Sequence, residues 1–141
     1  MKGTLTFLIL FFFVFLGSLG TAFADVIIIT YPGVEETTLS KKDIKEIFLG
    51  SRVQWRDRSK IRPVLLNEEE VLKEFLKIYV KKTEDQFLNH WKRMVFTGKG
   101  KSPKRFKSPA ELIAYVSKTN GAIGCVESVT SVDNVNTIKV K

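Results

Sequence analysis

Cysteine and histidine are nearly missing from this chain: Cys125 and His90 each stand alone. A single cysteine excludes an intrachain disulfide, so the fold must be held by burial. One histidine and one cysteine, with no CxxC or HxxxH pair, leave no zinc-ligand set. Cys125 sits in an apolar stretch, where a thiol is an inert core group. His90, beside Trp91, reads as a residue at the edge of a helix's buried face. No catalytic residue, metal or cofactor is assigned, and an enzyme such as a phosphatase would have no nucleophile–base pair to use. Acids are also short, with 15 Asp and Glu against 23 Lys and Arg and a net charge of +8. That balance favours a small oxyanion or an anionic protein or envelope surface.

Long apolar runs are missing too, except at the start. Lys2 precedes TFLILFFFVFLGSLG, and Ala22-Phe23-Ala24 gives the small-x-small step that signal peptidase reads. The expectation is a leader, 1–24, cleaved after Ala24. An uncleaved anchor is the alternative, but the run falls short of the roughly 20 residues needed to span a bilayer. Cleavage removes one cation, Lys2, leaving +7, and no transmembrane segment remains in 25–141. A periplasmic or secreted chain is not expected to meet nucleic acid. Residues 25–141 suffice for one compact domain.

Along that domain, Val26-Ile27-Ile28-Ile29-Thr30 reads as a buried strand ended by Tyr31-Pro32-Gly33. Ser40 and Asp43 form a capping box for a helix that buries Ile44, Ile47 and Phe48 and stops at Gly50. Residues 51–60 read as a polar loop around Trp55, and Ile61 to Leu66 as a second strand. Asn67 is placed to cap a helix opening Glu68-Glu69-Glu70, with Leu72, Phe75, Leu76 and Tyr79 inward. Thr83 and Gln86 box the start of another, with Phe87, Trp91, Met94 and Val95 inward. A basic loop follows. Ser108-Pro109-Ala110-Glu111 then opens the clearest helix, burying Leu112, Ile113, Tyr115 and Val116. Asn120-Gly121 ends it, Ala122 to Val126 reads as a strand, and Thr137 to Val140 as a last short one. The order β-α-β-α-α-α-β-β predicts a layered α/β domain, a mixed sheet flanked by helices.

Several of these residues form a known series: IFLG at 47–50, Trp55, IRPVLL, the Trp91-x4-FTGKG step and YVSKTNGAIGCV. Together they resemble one lobe of the phosphate-binding proteins of ABC transporters. The resemblance is closer still to short exported proteins that hold a single periplasmic-binding-protein-like (type II) domain. It covers roughly Val26 to Val126, with Cys125 where the family usually has tyrosine. In phosphate binders of this kind an arginine and an S-G-T step precede the helix after the second strand. Here the place reads Leu65-Leu66-Asn67-Glu68-Glu69-Glu70. The resemblance therefore implies the fold without the usual phosphate motif.

The candidate ligand contacts are Ser40, Trp55, Asn67 and the loop Thr97-Gly98-Lys99-Gly100-Lys101. Glycines that expose amides, with lysines beside them, are what an anion cradle needs. The spacing is not that of a P-loop, and a helix rather than a strand precedes it. The loop thus reads as cradle, basic contact surface or plain connector. Trp55, among Gln54, Arg56 and Arg58, is placed at a rim. Arg52, Arg56, Arg58, Lys104, Arg105 and Lys107 are the cations expected to face a partner. The functional expectation is a non-enzymatic binding or adaptor module. The alternative is a true phosphate or oxyanion binder that makes its cleft by dimerising.

Overall fold

The computed structural model describes residues 25–141, and the expected leader, 1–24, lies outside the described residues. Strands β1 (Val26–Thr30), β2 (Thr38–Leu39), β3 (Arg62–Leu66), β4 (Lys104–Phe106), β5 (Ala122–Glu127) and β6 (Asn136–Val140) form one sheet in the order β2-β6-β1-β5-β3-β4. It is mixed: β5, β3 and β4 run parallel, while β1 is antiparallel to both β5 and β6. Helices α1 (Lys41–Phe48), α2 (Glu69–Phe75), α3 (Glu84–Phe96) and α4 (Pro109–Lys118) flank it, and α2 runs on as a π-helical turn, Leu76–Val80.

The core is where the apolar runs placed it. Ile28, Ile29, Val64, Leu65, Ile123 and Val126 are buried along the central strands. Gly124 of β5 permits that density, since a Cβ there would come within 3.0 Å of both Leu112 and Val64 side chains. Ile44, Ile47 and Phe48 of α1 pack inward, and Phe48 meets Phe75 edge to face at 4.7 Å. Leu72, Phe75, Leu76 and Tyr79 are buried as a stripe, although the last turn widens to π.

The caps follow their residues. Ser40 and Thr83 each close a reciprocal box, and the Ser108 hydroxyl accepts from the Glu111 amide. Gly50, at φ 81°, ends α1 as a Schellman turn: its amide donates to Ile47 (3.2 Å) and the Ser51 amide to Glu46 (2.8 Å).

Four expectations change. Asn67 does not cap α2; Glu68 occupies that position, because the Asn67 amide is drawn into the sheet by the Phe106 carbonyl (2.7 Å). The basic loop contains strand β4, three residues pairing parallel with β3 and too short to show a period. The segment 51–60 is a tight hairpin: the Trp55 amide donates to Ser59, the Arg58 amide to Trp55, and Arg58 takes φ 70°. Val95 points to solvent, since Met94 and not Val95 faces the turn that packs under the end of α3.

Candidate functional site

The glycines after α3 end the helix and turn the chain. Thr97 is the C-cap, Gly98 takes φ 71°, its amide donates to Val95 (3.1 Å), and the Lys99 amide donates to Met94 (2.9 Å). These are the two hydrogen bonds of a Schellman motif. The Gly98 and Lys99 amides, two of those that an anion cradle would use, therefore satisfy the last carbonyls of α3. The Thr97 hydroxyl is engaged as well, donating to the Arg93 carbonyl (2.7 Å). Gly100 turns the chain back beneath the helix, where a Cβ would lie 3.3 Å from the Trp91 ring.

That return brings Lys99, Lys101 and Lys104 over a cavity of about 540 Å³. Arg52, Lys60 and Arg62 reach it from the other side, so its wall holds six cations and no carboxylate. The floor is apolar, with Ile61, Pro63, Val64, Trp91 and Tyr115 among its lining. The topology explains the opening: β4 pairs with β3 only from Val64 on, leaving Arg62 and Pro63 beside an unfilled edge. The two basic stretches, separate in sequence, thus face one space.

Their cations differ in how free they are. Arg52 is held by Glu36 (3.4 Å) and Asp43 (3.3 Å) and lies 5.9 Å over the Trp55 ring. Arg62 Nη1 donates to the Asn120 carbonyl (2.7 Å), and the Lys104 ammonium lies 5.1 Å over both Phe106 and Tyr115. Among the described residues Lys60, Lys99 and Lys101 have no ion pair. Arg56, Arg58 and Lys107 are exposed but outside the lining.

Trp55 is not at a rim. It is 3% exposed, and its Nε1 donates to the Gly121 carbonyl (3.0 Å). Ser40 is occupied as a cap, its hydroxyl accepting from the Asp43 amide (3.0 Å). At the far ends of β3 and β4, Asn67 Oδ1 accepts from Arg105 Nη1 (3.2 Å), which also donates to Glu84 (3.1 Å); Arg105 Nη2 is buried with no partner among the described residues. Glu69 and Glu70 stand in the first turn of α2 just beyond. A further groove, about 610 Å³, lies between α2 and the start of α3, with Lys73, Lys77, Lys81 and Lys82 set against Glu69 and Glu84.

His90 Nε2 donates to the Leu49 carbonyl (2.8 Å) across the α1–α3 contact. Burial pushes the Cys125 thiol far above its ordinary range, so it stays protonated at neutral pH. Among the described residues no group of three or more His, Cys, Asp or Glu could hold a metal, and no helix is long and apolar enough to cross a membrane.

Glu36 and Arg62 were not singled out from the sequence, and Glu36 is the less conspicuous of the two. It is 6% exposed, and its Oε1 accepts from the Arg56 amide (2.8 Å) as well as from Arg52. Nothing in the run Glu35-Glu36 distinguishes the buried acid from its exposed neighbour. The pair continues to Asp43, whose carboxyl is held below its ordinary range by the Ser40 amide (2.8 Å), which outweighs the opposing effect of burial, with the Ser40 hydroxyl and Arg52 adding smaller contributions. A lowered folded-state pKa stabilises above the unfolded value, near 4, and that gain is lost as pH falls through the folded one. Asp43→Asn should therefore cost about 0.5–1 kcal/mol at neutral pH. The gap to the parent should narrow as pH falls below the unfolded value. Denaturant midpoints across pH check this, and a gap that does not change with pH would refute it.

No protein-family model matches the chain, and no curated protein matches it in sequence. Solved structures do match in fold. PstS of Borrelia burgdorferi superimposes with TM-score 0.65 at 16% identity, over 84% of this chain and 47% of that one. A Clostridium perfringens protein assigned as a phosphate ABC transporter substrate-binding protein, with phosphate bound, gives 0.64 at 20%, over 83% and 45%. An ABC-type phosphate transport receptor of Vibrio cholerae gives 0.65 at 14%, over 83% and 46%. The chain thus spans under half the length of the proteins it matches. It has the fold of one lobe of a phosphate-type substrate-binding protein, a mixed sheet flanked by helices.

Proposed function

We propose that the chain is an exported, non-enzymatic binding module that recognises an anion at the basic cavity beside Trp91, and not a receptor that grips phosphate at its strand ends. The observation that carries this reading is the cavity wall, with six cations and no carboxylate over an apolar floor. Lys60, Lys99 and Lys101 bring charge that no acid of the described residues neutralises. Low-dielectric walls concentrate that field on whatever enters. The strand ends are a poorer place for an anion. Their arginine is bound to Glu84 and Asn67, and the carboxylates of the first turn of α2 oppose a second negative charge at its amides. Export rests on Lys2, the apolar run and Ala22-Phe23-Ala24.

The test is thermal unfolding of residues 25–141, which hold the whole sheet and core, titrated with phosphate, pyrophosphate and tripolyphosphate. Material recovered after export should begin at Asp25. A bound oxyanion at 100 times Kd adds about 2.7 kcal/mol of stability. Lys99→Glu with Lys101→Glu should weaken binding by about tenfold or more at low salt, with the difference shrinking as salt rises. No response to any of the three anions, or an equal response in the double variant, overturns the reading.

A second reading is favoured by one observation: the matched proteins are phosphate receptors of which this chain covers under half. In it, a second copy completes a phosphate cleft. A dimer that forms on adding phosphate would replace the first reading with this one.

A further inference from the structure

Helix α3 has two apolar sides, and only one of them is covered. Phe87 and Trp91 face the core. Around the helix from them, Leu88, Val95 and Phe96 face solvent, 37%, 52% and 92% exposed. Positions 88, 92, 95 and 96 are spaced by four, three and one, so they share a stripe, with Lys92 in its middle. Phe96 is the last residue of the helix, and the Schellman turn after it holds Gly98 and Lys99 in fixed order beside it. From Gln86 to Ala110 the chain carries seven cations and no acid, so this stretch of chain has one sign.

A nearly free phenylalanine at the end of an ordered helix is out of place in water unless something covers it. Three side chains are too few to form the centre of a stable protein interface, which takes about 800 Å² from each partner. Such a centre also excludes charge, whereas Lys92 lies inside this stripe. An anionic bilayer surface suits both features together. Its acyl boundary takes Phe96 and Val95, and its headgroups take the cations that flank them. Lys92 can lay its stem along the apolar side chains and still reach a headgroup.

We infer that the C-terminal tip of α3, with Phe96 and Val95 as wedge and Lys92, Arg93, Lys99 and Lys101 as collar, docks the domain on an anionic membrane surface. Lys99 and Lys101 of the collar also belong to the cavity wall, whereas Phe96, Val95 and Lys92 lie outside its lining.

The experiment is co-sedimentation of residues 25–141 with two kinds of vesicle, pure phosphatidylcholine and phosphatidylcholine mixed with phosphatidylglycerol. Binding is expected only to the second, and it should fall as salt rises. Phe96→Ser should lower it by about tenfold. Because Phe96 makes almost no contact with the core, that variant should keep the parent's unfolding midpoint and its oxyanion response. Val95→Ser should lower binding less. Equal binding by parent and Phe96→Ser, or no binding to the anionic vesicles, overturns the inference. So does a parent that sediments as a dimer and a Phe96→Ser variant that is monomeric, because a second copy would then cover the stripe.

Discussion

Gly121→Ala should lower stability by about 2–4 kcal/mol, one of the two largest losses expected of any single substitution in this chain. Gly121 takes φ 77°, a left-handed conformation that an alanine adopts at a cost, and a Cβ there would overlap the Lys60 carbonyl oxygen. The overlap is with backbone, so no rotamer change can relieve it. The Gly121 carbonyl also accepts from Trp55 Nε1 (3.0 Å) and from the Arg62 amide (2.9 Å), so any shift disturbs the Trp55 hairpin and the start of β3 together. Gly98→Ala supplies the control. Gly98 takes φ 71°, but nothing lies within 4 Å of where its Cβ would be, so only the backbone strain remains, about 1 kcal/mol. Denaturant unfolding of both variants tests the difference. Equal losses would show that the crowding at Lys60 relaxes freely.

The fold was legible because its signals are local. A β-branched run at 26–30, two capping boxes, a proline at the first position of α4 and glycines at helix ends each fix an element from within a few residues. Strand β4 gave no such signal. Three residues cannot show alternation, and Lys104-Arg105 reads as solvated until β3 is known to lie beside it. Strand β2 is shorter still, and it is made by the β6 backbone rather than by anything in Thr38-Leu39.

The site was legible in composition and not in arrangement. Both basic stretches stood out as charge, but spacing could not say that they face one cavity. Nor could it sort the cations. Arg52 lies between two acids that precede it by 16 and 9 positions in sequence, one of them the inconspicuous Glu36. Arg105 is taken by Glu84, an acid that reads as helix-start decoration. Trp55 misled for a related reason. Its neighbours are polar, yet its ring is drawn inward by a carbonyl 66 residues away, at Gly121. Local polarity describes a side chain's sequence neighbours, whereas burial depends on its distant ones.

Trp91→Ala should cost about 3–5 kcal/mol and should also remove the anion response. The ring is buried and fills the space between α1 and the basic turn: a Cβ on Gly50 would lie 2.9 Å from it, and one on Gly100 3.3 Å. Its Nε1 donates to the Phe48 carbonyl (3.1 Å) at the end of α1. Truncation opens a void under the cavity floor and leaves that carbonyl without its partner. The turn that carries Lys99 and Lys101 then loses what it rests on. Trp91→Phe separates the two roles, because it keeps most of the wall and gives up only the donor, about 1–2 kcal/mol. The expected pattern is a large stability loss with no oxyanion response for alanine, and a small loss with the response kept for phenylalanine. An alanine variant, still folded, that binds tripolyphosphate as the parent does would show that the lysines need no support from the ring. Recognition would then rest on the charge of Lys60, Lys99 and Lys101 and not on the packing of the cavity floor.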